Sequence, residues 1–114
     1  MIRRIPGAGH TRSHAVVQGG FVFAIATAPV KTDSVYDQTK QALVRLDETL
    51  KQAGCTKQNI LQITVHIVDA TRHADMNRAW EEWVDRANPP VRVFVVSALE
   101  GRELVALSAI ATTS

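Results

Sequence analysis

The stretch that most constrains the fold is a pair of prolines followed by an apolar run. Pro89 and Pro90 end any preceding helix, because proline has no amide hydrogen and restricts the backbone of the residue before it. Residues 91–96, Val-Arg-Val-Phe-Val-Val, are β-branched or aromatic with one exception, and so predict a buried strand. The exception is Arg92, whose fixed charge must find an anionic partner or reach the surface.

Three further regions have the residue pattern of strands. Residues 15–17 and 21–26 flank Gly19-Gly20, a pair typical of a tight hairpin turn, and predict a β-hairpin. Residues 60–68 alternate between apolar and polar side chains, which predicts a strand with one face in the core. Residues 104–111 predict a last apolar strand. No element is predicted before the hairpin, where glycine and proline are frequent.

Two helices are predicted between these strands. Ser34, with Asp37 three positions later, resembles a capping box, and Gly54 is a typical helix stop. Thr71 is the predicted cap of the second helix. Between these signals the apolar residues recur at helical spacing, as Ala42, Leu43, Leu46, Leu50 and Ala53 in the first helix and Met76, Ala79, Trp80, Trp83 and Val84 in the second.

The order β-β-α-β-α-β-β predicts an α+β fold: a mixed sheet with two helices packed on one face, in a single domain spanning residues 1–114. The last two strands are apolar on both faces, as Val93 and Val95 against Phe94 and Val96 illustrate. Two helices cover only one side of such a sheet. Because soluble monomers avoid large exposed apolar patches, the second face predicts a homo-oligomer.

Composition excludes several classes of function. A formal net charge of +2, without a cluster of basic residues, argues against a nucleic-acid partner. No apolar run is long enough to span a membrane, and the N-terminus lacks the apolar core of a signal peptide. The single Cys55 cannot form an internal disulfide, which fits a reducing compartment. Together these observations predict a cytoplasmic location. No phosphate loop is present, so no cofactor is predicted. The histidines lack metal-ligand spacing, so no metal is predicted either: His10, His14, His66 and His73.

Many short segments between residues 13 and 111 match a known family in their order and spacing. The matching residues are Ser13, Ala15-Val16, Gly19, Phe21-Val22-Phe23, Pro29-Val30, Gln38-Thr39, Gln41-Ala42-Leu43, Ala53-Gly54, Thr64-Val65, Asp69, Met76-Asn77, Pro89 and Ala109-Ile110-Ala111. In their order and spacing they resemble the Rid (YjgF/YER057c/UK114) family. The resemblance implies a chorismate-mutase-like Rid fold, a homotrimer with clefts between subunits, and hydrolysis of reactive imines and enamines.

The resemblance also locates a substrate-binding arginine, which deaminating members supply from a Pro-x-Arg step at the start of the penultimate strand. Aligned without gaps from Met76-Asn77 through Pro89, this position falls on Val91, and Arg92 comes one residue later. Neighbouring residues of a strand point to opposite faces. Arg92 therefore either lies on the other face or at a subunit rim, or a bulge after the prolines rotates it into the cleft.

Other positions of the family's site differ as well. Thr27 ends an Ile-Ala-Thr segment where the resemblance implies Ser-Gly-Gln, and Ser108 stands where it implies a water-positioning glutamate. Arg12 replaces an aromatic residue. Arg12 could hold an anionic ligand and His14 could transfer protons, or both are solvated loop residues. The candidate ligand-binding residues are Arg12, Thr27, Val91, Arg92 and Ser108, and the candidate catalytic residues are Arg92 and His14.

Three functions remain open at this point. The first is hydrolysis of imines, enamines or related amino-carbonyl metabolites in a rearranged site, with a carboxylate-bearing small molecule as ligand. The second is a non-catalytic trimer that binds a ligand or regulates a partner. The third, from the family's older naming, is RNA cleavage, which the charge disfavours. His66 is interpreted as a core or interface histidine with a hydrogen-bond partner, Asn77 as a residue that serves packing or a hydrogen bond, and Cys55 as an ordinary thiol.

Overall fold

The computed structural model describes residues 1–113 and confirms the α+β architecture, with one sheet and two helices. Helix α1 spans Val35–Ala53 and α2 spans His73–Trp83, and neither is long and apolar enough to cross a membrane. Short 3₁₀ turns at Lys57–Asn59 and Ala70–Arg72 precede β4 and α2. The strands are β1 (Arg3–Pro6), β2 (Ser13–Gln18), β3 (Phe21–Thr27), β4 (Ile60–Ile67), β5 (Val91–Val96) and β6 (Val105–Thr112).

The six strands form a single mixed sheet in the order β1-β2-β3-β6-β4-β5. Only β4 and β5 run parallel, because α2 connects them and returns the chain to the starting end of the sheet. The N-terminal strand β1 was not predicted. It pairs antiparallel with β2 from Arg3 opposite Val17 to Pro6 opposite Ser13. Of its residues only Ile5 is buried, so it lacks the repeated alternation that identifies a strand.

The predicted first helix is confirmed at both ends. The Ser34 side chain accepts a hydrogen bond from the Asp37 amide at 3.0 Å. The other half of the predicted capping box does not form, because the Asp37 carboxylate accepts from the Thr32 hydroxyl instead. Gly54 ends the helix with φ of 91°, and its amide donates to the carbonyls of the last turn. The apolar stripe is buried, as Leu46 shows with 0% exposure.

The start of the second helix differs from the prediction. Thr71 does not cap α2. Instead Asp69 caps the preceding 3₁₀ turn, and its carboxylate accepts hydrogen bonds from the Thr71 amide at 3.0 Å and the Thr71 hydroxyl at 2.7 Å. Because the Thr71 hydroxyl donates to this carboxylate two residues upstream, it is directed away from the first turn of α2. The two hydrogen bonds also lower the pKa of Asp69.

The two faces of the sheet have different surroundings. On the inner face, Ile63, Val65 and Ile67 of β4 are fully buried beneath the helices. The outer face, the side of the sheet without helices, carries Phe23 and Ile25 with 49% and 45% of their surfaces exposed. The predicted apolar second face is thus present and uncovered in the single chain.

Candidate functional site

An open groove of about 930 Å³ runs along one end of the outer face. Its walls come from the start of β2, the end of β3, the middle of β6, the segment after β5, and one residue of α1. A smaller hollow of about 320 Å³ continues from it along the sheet and shares His14, Ile25 and Ser108. The groove therefore carries the charged side chains of a longer depression, whose other part is lined by uncharged residues apart from His14.

Strand pairing fixes which side chains reach the groove. Ile25 of β3 lies opposite Ser108 of β6, and Ser108 lies opposite Thr64 of β4. The next outer-face row places Thr27 opposite Ala106. Because side chains alternate along a strand, these residues all point to the outer face.

Four of the predicted site residues come together in the groove. Arg12, His14, Thr27 and Ser108 all line it. Arg12 is exposed, whereas the other three are partly buried. The set offers a bidentate cation, a titratable imidazole and two hydroxyl groups, which suits a small polar ligand with an anionic group.

Val91 and Arg92 do not line the groove. The parallel ladder of β4 and β5 runs without irregularity from Gln62 opposite Val91 to Ile67 opposite Val96. No bulge after the prolines rotates Arg92, so the two neighbours point to opposite faces. Val91 is on the outer face and is 64% exposed.

Arg92 packs on the helix-bearing face against α2. Its Nη1 donates a hydrogen bond to Asn77 Oδ1 at 2.8 Å, and its guanidinium carbon lies 5.3 Å from the centre of the Trp80 ring. Trp80 packs in turn against Trp83 at a ring separation of 5.5 Å. The contacts satisfy the charge without an anionic partner, through an amide oxygen and an aromatic face.

The position of Arg92 also bears on the family pattern. Pro90-Val91-Arg92 has Pro-x-Arg spacing when the second proline, rather than Pro89, is taken as the start. Asn77, which holds the guanidinium, belongs to the Met-Asn pair that contributed to the resemblance. Under the resemblance, Val91 and Arg92 are alternative positions for the expected arginine, and they lie on opposite faces of β5.

Several groove residues were missed from the sequence. Lys31 forms an ion pair with Glu103 at 3.7 Å and donates to the Ala28 carbonyl. Arg45 of α1 reaches the groove from the helix layer. Its spacing from Glu48 permits an ordinary pair on a helix surface, so no sequence signal distinguishes it.

The remaining candidates have ordinary environments. His66 lines the groove, and its Nδ1 lies 3.3 Å from Ser97 Oγ, in agreement with its interpretation as a hydrogen-bonding histidine. Cys55 is buried at the end of α1, and burial raises the pKa of its thiol. Within residues 1–113, no three His, Cys, Asp or Glu side chains converge as metal ligands.

The electrostatics of the groove centre on His14. Partial burial lowers the pKa of this imidazole below its usual range, and the positive charge of Arg45 lowers it further. Near neutral pH the ring is therefore mainly neutral, with one nitrogen able to accept a proton. This is the protonation state that a general base requires.

Comparison with known proteins agrees with the fold and the motifs. The family model described as Endoribonuclease L-PSP matches residues 3–113. A RutC family protein from Haemophilus ducreyi is 32% identical over 99 residues, which cover 87% of this chain and 85% of that protein. A RutC family protein from Haemophilus influenzae is 39% identical over 66 residues, 58% of this chain and 57% of that protein.

Solved structures give the same assignment. NMB1025 from Neisseria meningitidis, a member of the YjgF protein family, superposes with a TM-score of 0.94 at 25% identity and covers 100% of this chain and 96% of its own. Rv2704 from Mycobacterium tuberculosis superposes with a TM-score of 0.87 at 22% identity over 98% and 99% of the two chains, a likeness of fold. The chain belongs to the Rid (YjgF/YER057c/UK114) family.

Proposed function

We propose that this protein is a cytoplasmic homotrimer that binds small carboxylate-bearing metabolites in its outer-face grooves and hydrolyses imines or enamines there. The supporting observation is the convergence of Arg12, His14, Thr27 and Ser108 in one groove. These residues come from three strands and the loop before β2, yet they point to one place. Such a concentration of donors and a titratable base next to an apolar floor is typical of ligand sites.

The proposed trimer follows from the uncovered outer face. Phe23 and Ile25 expose nearly half of their surfaces, and Val91 and Val93 extend the apolar area onto β5. Complete burial of such a side chain from the fully exposed state gains about 1.5–3 kcal/mol, so covering the part that is still exposed gains roughly half of that. Packing three chains through this face would cover the apolar area and leave each groove beside a neighbouring subunit.

The proposed reaction needs an anchor, a base and water. Arg12 binds the substrate carboxylate through two parallel N–H donors, while Thr27 and Ser108 supply hydroxyl groups. His14 accepts a proton from a water molecule as the water oxygen adds to the C=N carbon. The nitrogen takes up that proton to give a neutral carbinolamine. Transfer of the carbinolamine hydroxyl proton to the nitrogen then accompanies cleavage of the C–N bond, which releases ammonia and leaves a ketone. The net change is one water consumed and one ammonia released.

A second location for the carboxylate anchor is Arg92. The observation in its favour is the 2.8 Å hydrogen bond to Asn77, which orients a partly exposed guanidinium at the edge strand of the sheet. In a trimer, an edge strand can approach the groove of an adjacent subunit. Under this alternative, Arg92 of one chain would act together with His14 of another, and Val91 would be an interface residue.

The non-catalytic alternative keeps the same site without turnover. It is supported by Val91 and Ser108, which stand where the resemblance implies arginine and glutamate. RNA cleavage, the activity in the family model's description, has less support. The net charge is only +2, and the aromatic residues of the outer face are not interleaved with a basic stripe.

The first test measures hydrolysis of 2-iminopyruvate or 2-iminobutyrate generated in situ, with and without the protein. We expect a rate above background that falls in Arg12→Gln. Arg78→Gln, which removes a charge from the exposed face of α2, is the matched control and should retain the rate. A wild-type rate equal to background would exclude the deaminase function and leave the ligand-binding alternative.

A light-scattering mass of one chain would contradict the trimer.

The second test separates the two anchor positions. If Val91 occupies the lost arginine position, Val91→Arg, alone or with Ser108→Glu, should raise the hydrolysis rate. Arg92→Ala should then leave the binding of small carboxylates unchanged. Loss of carboxylate binding in a folded Arg92→Ala variant would instead assign the anchor to Arg92.

A further inference from the structure

Arg45 stands apart from the other cations of the chain. It is partly buried on α1 and lines the groove. Within residues 1–113 its side chain forms no ion pair or hydrogen bond. A partly desolvated guanidinium without a counter-ion is unfavourable, since it loses hydration without gaining a partner. Its surroundings therefore favour an anion from outside the chain.

The charges of the groove do not cancel. Lys31 and Glu103 neutralise each other in their ion pair. Glu100, which is exposed, is then the one remaining carboxylate against two guanidinium groups. The charged and titratable groups that share the groove with His14 are Arg12, Lys31, Arg45, His66, Glu100 and Glu103.

We propose that Arg45, together with Arg12 and His14, forms a binding site for a doubly negative group or for two anionic groups of one ligand. The groove would thus prefer dianionic metabolites, such as dicarboxylates or phosphate-bearing amino-carbonyl compounds, over simple monocarboxylates. This proposal rests on the proposed function for the location of the ligand site and adds its charge class. Arg45 acts here as a specificity-determining residue.

Anion binding and the protonation of His14 are then coupled. The charge of Arg45 acts on the imidazole, and so an anion that neutralises Arg45 removes one cause of the lowered pKa of His14. The anion also attracts the imidazolium directly. By linkage, ligand binding raises the pKa of His14, and protonation of His14 tightens ligand binding by the same factor. Affinity for a dianion should therefore increase as the pH falls through the titration range of His14.

Sulfate, which carries two negative charges at both pH values used below, and succinate serve as dianionic probes, and acetate as the monoanionic control. The ring resonances of His14 are followed by NMR in the full-length protein while each probe is added at about pH 6 and about pH 8. We expect saturable shifts with sulfate and succinate, stronger binding at the lower pH, and weaker binding of acetate. His14→Gln identifies the resonance.

Arg45→Gln tests the residue itself, and Lys51→Gln removes a charge from an exposed position of the same helix outside the groove. We expect Arg45→Gln to weaken sulfate binding about tenfold or more, the loss of one charge-assisted hydrogen bond. In the same variant the pKa of His14 should rise in the free protein. Lys51→Gln should change neither quantity.

Two outcomes would overturn the inference: equal affinity for acetate and the dianions, or sulfate binding that is unchanged in a folded Arg45→Gln variant. Neither depends on imine hydrolysis. Turnover without preferential dianion binding would refute the dianion site and retain the proposed function. Arg45-dependent dianion binding without turnover would retain the site and exclude the hydrolase.

Discussion

The two faces of the same sheet are built from similar residues but have different roles. In β4, Ile63, Val65 and Ile67 point inward and have no exposed surface. Across the sheet, Phe23 and Ile25 are equally apolar, yet almost half of each side chain is exposed. The inner face thus holds the chain together, while the outer face has its apolar surface available for other chains. Side-chain type alone does not distinguish these roles, and the position of the helices does.

The largest expected effect concerns the inner face. Leu46→Ala removes a side chain with 0% exposure from the stripe of α1 and leaves a cavity against the sheet. We expect the free energy of unfolding to fall by about 2–5 kcal/mol. Urea denaturation at fixed protein concentration measures this change. Val44→Ala, at a 55% exposed position of the same helix, should cost less than about 0.5 kcal/mol. Similar losses in the two variants would contradict the assigned core.

The next prediction concerns the outer face. Phe23→Asp places a charge in the middle of the uncovered apolar area and should block its burial between subunits. We expect the mass by light scattering to fall from three chains to one, with the circular dichroism of the single chain retained. Val44→Asp provides a charged control on the helical side. A trimer that persists in Phe23→Asp would place the interface elsewhere.

A smaller effect is expected at Arg92, where a cation lies on the inner face. Arg92→Met keeps the apolar part of the side chain but removes the hydrogen bond to Asn77 and the charge above Trp80. Together these are worth about 1–2 kcal/mol of unfolding free energy. In Arg92→Met combined with Asn77→Ala, the total loss should be smaller than the sum of the single losses. Strict additivity would show that the hydrogen bond contributes nothing to stability.

The smallest effect is a pH dependence that originates at the outer face. The folded state lowers the pKa of His14 below the unfolded value of about 6.5, so the unfolded chain binds the proton more readily. The contribution of His14 to stability is therefore fully present above about pH 6.5 and declines as the pH falls towards the folded-state pKa. Denaturation midpoints from about pH 7.5 to about pH 5 should show this decline, and His14→Gln should reduce it. A midpoint that rises at low pH in the wild type alone would contradict the sign.

Most of the fold was predictable because the residues that a helix or strand buries recur at a regular spacing in the sequence. The stripe of α1 and the alternation of β4 each repeat often enough to identify an element, and Gly54 marked an end that the backbone confirms. Strand β1 has only one buried side chain, so its sequence shows no repeated alternation of apolar and polar residues from which a strand could be predicted. The cap of α2 was misassigned because the Thr71 hydroxyl donates to the Asp69 carboxylate, a pairing that depends on the local turn.

The site was predictable only in part. The resemblance aligns the strands position by position, and it therefore indicated four residues that line the groove: Arg12, His14, Thr27 and Ser108. Arg45 could not, since it belongs to a helix and meets the groove only after α1 packs across the sheet. The lack of an ion-pair partner for Arg45 depends on the tertiary structure, so no pattern in the neighbouring sequence indicates it.

The sheet order has a consequence for how the chain acquires its structure. The central strand β6 follows every other strand in sequence, and it joins the β1–β2–β3 hairpins to the β4–α2–β5 unit. The hydrogen bond from the Thr113 hydroxyl to the Gly20 carbonyl closes a loop of 93 residues. Two half-sheets can therefore form early from local contacts, but they join only when this distant segment inserts between them. Closure over such separations is slow, and until it occurs both half-sheets expose strand edges to other chains.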